Sequence, residues 1–332
     1  MTSGKTRIAI NGFGRIGRTI ARLLARNKGE FDLVLINDIA PLKTCAYLFQ
    51  YDSIAGVYPG TIQTEPAALI VDGQRIPFHC EPDLRALDLS GVDVVLECTG
   101  AANDRMASGR GLVAGAKAVL VSGPSEGADI TVVLGANEHM LTDQQIISNA
   151  SCTTNALAPL VRVLDDTFGI ESGQMTTVHC YTGSQPTIDA PRGDLTRSRA
   201  AALSMIPTTT SAARLIDRVL PHLAGLIEAR AIRVPTASVS SIDLVVRIRT
   251  AATVDDVNKA LFAATRTIPV LGWCDDPLVS SDLRGRPESL IICPDETSMA
   301  PSDLLRVFGW YDNESGFSNR MLDMARLIAR RQ

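Results

Sequence analysis

R-I-A-I-N-G-F-G-R-I-G-R-T-I-A-R-L-L-A-R-N, Arg7 to Asn27, changes its hydrophobic period across three glycines. Before them lies a short apolar strand; after them Ile16, Ile20, Leu23 and Leu24 recur at helical spacing. F-D-L-V-L-I-N-D, Phe31 to Asp38, reads as the next strand, so the three segments form a βαβ unit. Gly12, Gly14 and Gly17 stand at G-x-G-x-x-G spacing on the turn. The first suits a tight turn, the second lets backbone approach a pyrophosphate, and the third lets helix and strand pack closely. The helix start favours an anion, and Asp38 closes the second strand where a carboxylate can accept hydrogen bonds from ribose hydroxyls. That carboxylate would repel a 2′-phosphate, and I-N-D-I-A-P supplies no cation before Lys43, so the cofactor expected is NAD rather than NADP.

The alternation continues outward: a helix near Leu42 to Tyr51, the strand V-D-V-V-L-E-C, a helix near Asp104 to Ala114, then strands A-V-L-V-S and I-T-V-V-L. Strand and helix in turn predict an α/β domain, a Rossmann-type doubly wound parallel sheet covered on both faces. After Cys152 the strands lengthen, as in M-T-T-V-H-C-Y-T, A-I-R-V-P-T, V-S-S-I-D-L-V-V-R-I-R and L-L-R-V-F-G-W-Y. This texture predicts an α+β catalytic domain with a mostly antiparallel sheet. The expected division is 1–151 for the NAD-binding domain, joined by a C-terminal helix at about 316–332, and 152–315 for the catalytic domain. Between Gly183 and Ser204 runs a polar segment too long for an idle connection.

The chain has 332 residues, 45% hydrophobic, enough for two domains with sizeable cores. It has no long apolar run and no secretory pattern at its start, which predicts a cytoplasmic protein. Net charge is −4 with cations scattered, so nucleic acid and membrane surfaces are not expected partners. Seven cysteines stand far apart with no C-x-x-C pair, which predicts reduced thiols and no metal site.

One of those thiols is set apart. In S-N-A-S-C-T-T-N-A-L-A-P, Ser148 to Pro159, Cys152 is flanked by hydroxyl residues at the start of an apolar helix. Free N–H groups and the dipole of a helix start favour a thiolate there, whereas an ordinary thiol, with pKa about 8.5, is ionised to only a few per cent at neutral pH. His179 is a candidate base, although the residues alone leave open that it is a satisfied strand histidine. A thiolate beside a nicotinamide can attack an aldehyde and hold the oxidised acyl group as a thioester. Nearby hydroxyls and arginines can then bind phosphate groups.

N-G-F-G-R-I-G-R, Y-D-S, S-N-A-S-C-T-T-N, T-V-H, R-A-A-A-L-S-M-I-P-T-T-T, R-V-P-T and W-Y-D-N-E follow one another as in phosphorylating glyceraldehyde-3-phosphate dehydrogenases, and the chain resembles that family over nearly its whole length. The resemblance implies NAD-dependent oxidation of glyceraldehyde 3-phosphate to 1,3-bisphosphoglycerate, with inorganic phosphate as the acyl acceptor, in a homotetramer. Cys152 would be the nucleophile and His179 its activating partner. Thr182 and Arg233 match the site for the substrate's phosphate; Ser151, Thr153, Arg197, Thr210 and Ser211 match the site for inorganic phosphate. Asn11, Gly12, Gly14, Arg15, Ile16, Gly17, Asp38, Thr99, Ser122 and Asn313 match the cofactor set, with Asn313 holding the nicotinamide amide. The segment after Gly183 corresponds to a loop that reaches a neighbouring subunit, and its Pro191 fits the NAD-preferring pattern.

The chain departs from the family pattern at several places. Ser211 stands where glycine is common, Ala102 where an aromatic residue is usual near the adenine, and Pro82 where an arginine is usual. Ser315 and Phe317 replace a tryptophan and a tyrosine near the nicotinamide end. Two other readings compete: an erythrose-4-phosphate dehydrogenase or other phospho-aldehyde dehydrogenase, and a weakly catalytic regulatory or interaction protein.

Overall fold

The computed structural model describes residues 4–27 and 29–331. They fall into two compact units: Met1–Val132 with His139–Ala150 and Ser318–Gln332, and Val133–Glu138 with Ser151–Phe317.

The first unit is built on a nine-stranded sheet. Strand Thr6–Asn11 lies at its centre, parallel to Phe31–Asn37 on one side and to Val94–Glu97 on the other. Ala118–Val121, Ile146–Ser148 and Ile130–Thr131 continue the parallel half. These strands are apolar along their length because helices and loops cover both faces; Ile8, Ile10, Val94, Val95, Leu96 and Leu120 are buried completely. The opposite edge departs from the expected all-parallel sheet. Gln74–His79 is still parallel to Phe31–Asn37, but Ala68–Val71 and Ile62–Glu65 add to it as an antiparallel meander. Short turns join these edge strands, and a chain that reverses in a few residues can pair only antiparallel.

The predicted helix near Asp104 to Ala114 is two short helices, Arg105–Ser108 and Arg110–Val113, meeting at Gly109. A Cβ at Gly111 would approach the Val119 side chain to 2.8 Å, so this glycine lets the second helix lie close to the sheet. The closing helix, Ser315–Ala329, spans the last predicted element. Its Arg326 meets Glu30 at 2.5 Å and lies over the Phe31 ring, which ties this helix to the second strand of the first unit.

The second unit has an eight-stranded, mostly antiparallel sheet in which Ile170–Cys180 occupies a central place. That strand pairs antiparallel with Ser240–Ile248 and parallel with Ile227–Val234. Leu304–Tyr311 pairs antiparallel with Ser240–Ile248 on the far side. The helix Cys152–Phe168 belongs to this unit and is largely buried; Ala156, Leu157, Leu160, Val161 and Leu164 are all fully buried. Burying each such leucine or valine contributes roughly 1.5–3 kcal/mol, so the first turn of this helix is anchored by the turns behind it.

Candidate active site

In the first unit the glycine turn stands where its chemistry needs it. Gly12 has φ +94°, and a Cβ there would lie 2.6 Å from the Cys98 carbonyl carbon, so no side chain fits. A Cβ at Gly17 would fall 2.2 Å from the Gly12 carbonyl oxygen, whereas space around Gly14 is open. Gly14 caps the helix Arg15–Arg26 without any side-chain hydrogen bond, so no side chain of the cap competes with an anion at this helix start. A cavity of about 440 Å³ opens here, lined among others by Gly12, Gly14, Asp38, Pro82 and Thr99. Asp38 accepts from the Phe13 N–H at 2.5 Å and the Ala40 N–H at 2.8 Å. Each of its oxygens retains a further lone pair for a ribose hydroxyl. These features fit a dinucleotide.

Other residues of the cofactor set are engaged with protein partners. Asn11 is buried and spends its amide on Glu97 at 2.6 Å while accepting from Asn37 at 2.8 Å. Thr99 gives Glu97 both its N–H, at 3.1 Å, and its hydroxyl. Arg15 pairs with Asp52 at 2.5 Å. Burial alone would push Asp52 up, but the Arg15 bond and the Ile54 and Ala55 N–H groups hold it at about 2. The side chains of Asn11 and Arg15 therefore organise the loop, and the backbone at Arg15 and Ile16 is what the helix start offers an anion. Ser122 joins the same network through its N–H, which donates to the Glu97 carbonyl.

Glu97 is the residue that motif reading missed. It is 2% exposed and holds Asn11 and Thr99, with Arg110 at 3.6 Å. Its only sequence signal is an acid ending the apolar run V-V-L-E. The departures at 82 and 102 also separate. Pro82 lines the cavity, but Ala102 is buried in the core beside Leu84, and it is Ala101 that lines the cavity. The Ala102 side chain packs inward and offers the cavity no stacking face.

In the second unit, Ser151 caps the helix, its Oγ accepting from the Thr154 N–H at 3.1 Å, and Cys152 is the first helical residue. Cys152 Sγ lies 3.7 Å from His179 Nε2. His179 comes from the end of the central strand, and its Nδ1 lies 2.7 Å from the Cys180 carbonyl. A carbonyl accepts only, so this bond places the proton on Nδ1 and leaves the Nε2 lone pair toward the thiol. Arg233 Nη1, a donor like the Nδ1–H of this tautomer, stands 3.0 Å from Nδ1 as a neighbouring charge and not as its hydrogen-bond partner; it donates to the same carbonyl at 3.2 Å. Burial, then the Arg233 charge, lowers His179 to about 4, so the imidazole is neutral at neutral pH.

The thiol differs from expectation. Cys152 keeps a solvent-reachable edge, yet burial raises it above an ordinary thiol and outweighs the Thr153 hydrogen bond, the Arg233 charge and the helix-start N–H groups. Burial thus opposes the thiolate that the helix start alone predicts.

The hydroxyls divide similarly. Thr153 is buried, with its Oγ1 2.9 Å from the Tyr311 hydroxyl, which also meets Thr177 at 2.9 Å. Its side chain is thus engaged with the Tyr311 hydroxyl and the Cys152 thiol, which the Thr153 N–H also meets. Tyr311, the tyrosine of W-Y-D-N-E, also stands edge-on to the His179 ring with centroids 6.0 Å apart, a supporting role that the motif did not reveal. Thr182 is on a more open surface, 2.9 Å from Ser184. Arg197 donates to the Thr209 carbonyl at 3.0 Å, next to Thr210, whose Oγ1 accepts from the Ala212 N–H at 3.3 Å. Ser211 has φ −75° and ψ −4°, ordinary helical backbone, and its side chain caps nothing. Glycine's conformational freedom is not needed there.

Family models agree with both units. Residues 6–105 match the glyceraldehyde 3-phosphate dehydrogenase NAD-binding domain, and residues 151–313 match the C-terminal domain of the same family. The chain is 46% identical over 327 residues to a glyceraldehyde-3-phosphate dehydrogenase of Xanthobacter flavus, covering 96% of this chain and 97% of that protein. It is 46% identical over 332 residues to the enzyme of that name from Zymomonas mobilis, and 42% identical over 331 residues to glyceraldehyde-3-phosphate dehydrogenase 1 of Bacillus subtilis, with 98% of each chain covered in both cases. With the two domain models in sequence order and such relatives aligned almost end to end, the chain belongs to the glyceraldehyde-3-phosphate dehydrogenase family.

Proposed function

We propose that this protein oxidises glyceraldehyde 3-phosphate with NAD and inorganic phosphate, giving 1,3-bisphosphoglycerate through a thioester on Cys152. The observation that carries the reading is the Cys152–His179 pair at 3.7 Å, with the imidazole tautomer set by the Cys180 carbonyl. As Sγ bonds the aldehyde carbon, its proton passes to Nε2, which returns a proton to the new oxyanion and yields a hemithioacetal. Nε2 then takes the hydroxyl proton as the carbon loses hydride. NAD, when bound, supplies the hydride acceptor. The thioester that remains is cleaved when a phosphate oxygen bonds the acyl carbon and the carbon–sulfur bond breaks, and Sγ recovers a proton.

Arg233 links substrate binding to this chemistry. In the free protein its charge stands against His179 and disfavours the imidazolium. A substrate phosphate taking up that charge, with Thr182, would make His179 a better proton acceptor. Arg197, Thr210, Ser211 and the N–H groups of Ser151 and Thr153 are assigned to inorganic phosphate. Gly12, Gly14, Asp38 and the start of the Arg15 helix are assigned to the cofactor, with Asn313 as donor to the nicotinamide amide.

Ile188, Leu195, Leu203 and Met205 are 74%, 90%, 80% and 75% exposed along one polar segment, which supports burial against another copy in a homotetramer. No helix among the described residues is long and apolar enough to cross a membrane, and a cytoplasmic place is proposed. The relatives are named for the triose phosphate, which disfavours tetrose-phosphate oxidation and a mainly regulatory role. Replacing Cys152 with Ser tests the reading: NADH formation is expected to stop while NAD binding persists. Oxidation that survived would remove Cys152 from the mechanism.

A further inference from the structure

Behind His179, on the same strand, Cys180 is 1% exposed and points to the opposite side of the sheet. Its Sγ lies 3.1 Å from Asn313 Oδ1, and Ser240 Oγ lies 3.4 Å from the same oxygen. Ser240 is itself completely buried and is held by the Cys180 N–H at 3.1 Å. Burial pushes the Cys180 thiol up to about 11, so it stays protonated and donates at neutral pH. Asn313 is 8% exposed, and no group among the described residues accepts from its Nδ2. A buried amide with a doubly contacted carbonyl and an unpartnered NH2 group is oriented toward a ligand acceptor.

We propose that Cys180 is a positioning residue: with Ser240 it fixes the rotation of the Asn313 carboxamide so that the NH2 end meets the carboxamide oxygen of the nicotinamide. Rotating the amide by half a turn would set its NH2 against the S–H donor and give up the contact to oxygen. The inference rests on the assignment of Asn313 to the nicotinamide.

The test measures equilibrium binding of NAD and of ADP-ribose, which lacks the nicotinamide, to the intact protein and to its Cys180→Ala, Cys180→Ser, Ser240→Ala and Asn313→Ala variants. Loss of one orienting hydrogen bond in Cys180→Ala is expected to weaken NAD about three- to tenfold and leave ADP-ribose unchanged. Cys180→Ser, which keeps a donor, is expected to restore most of the affinity, and Ser240→Ala to show a smaller loss in the same direction. If Asn313→Ala weakens NAD selectively but Cys180→Ala does not, Cys180 has no positioning role. Equal weakening of both ligands by Cys180→Ala would also overturn it, in favour of simple packing. If Asn313→Ala leaves the ratio of the two affinities unchanged, the assignment of Asn313 itself fails.

Discussion

His179 is the residue on which proton movement turns. Its neutral state is enforced by burial and by Arg233, and its pKa of about 4 lies below that of an unfolded histidine. The unfolded chain therefore binds a proton that the folded chain refuses between pH 6.5 and 4, so this residue removes stability as pH falls through that window. Replacing His179 with Asn is expected to flatten the loss, by at most on the order of 3 kcal/mol, in urea titrations at a series of pH values. An equally steep decline in the variant would place the titrating group elsewhere. The same variant should lower acyl-enzyme formation by about 10²- to 10⁴-fold in single-turnover measurements and leave NAD affinity unchanged. Asp38→Ala, with its carboxylate gone, should relax the preference for NAD over NADP; an unchanged ratio of kcat/KM values would contradict its ribose role.

The two helix starts are the elements that matter, one empty of side-chain caps at Gly14 and one capped by Ser151. Ser151→Ala should cost about 1 kcal/mol of stability, the usual price of an N-cap, read as a lower denaturation midpoint. Tyr311→Phe leaves Thr153 and Thr177 without their shared partner and should cost about 1–3 kcal/mol. Both helix starts were legible in the sequence because their signals are local: glycines at fixed spacing, a hydroxyl cap, and an apolar period behind it. What was not legible is long-range. Nothing near Thr153 in the chain says that its hydroxyl meets a tyrosine more than a hundred residues away, and nothing near Asn11 says that Glu97 holds its amide. Thus side chains that a motif offers to a ligand, those of Asn11 and Thr153 among them, are engaged with distant parts of the chain. Burial of Cys152, which works against the thiolate, is likewise a tertiary property that a helix-start signal does not carry. The antiparallel edge of the first sheet was missed because pairing direction is set by the short turns between its strands, which a strand period does not report.

At the scale of the whole molecule, the proposed reaction divides its residues between the two units: a glycine turn with Asp38 for a dinucleotide in one, and a thiol–imidazole pair with arginines and threonines for phosphorylated groups in the other. The exposed leucines at 195 and 203 belong to this scale. Sedimentation is expected to give a tetramer, and the double variant Leu195→Asp, Leu203→Asp a smaller species; a wild-type monomer would refute the assembly. The family pattern is interrupted at Ser211, yet the backbone there is ordinary helix, which predicts that the phosphate step survives. That step is the central claim, and one measurement reaches it most directly: NADH formation with glyceraldehyde 3-phosphate and with erythrose 4-phosphate, each with and without inorganic phosphate. Rapid, phosphate-dependent turnover of the triose, with the tetrose poorly used, is the predicted result. Turnover of the tetrose that ignores phosphate, or none with either aldehyde while Cys152 still reacts with iodoacetamide, would contradict it.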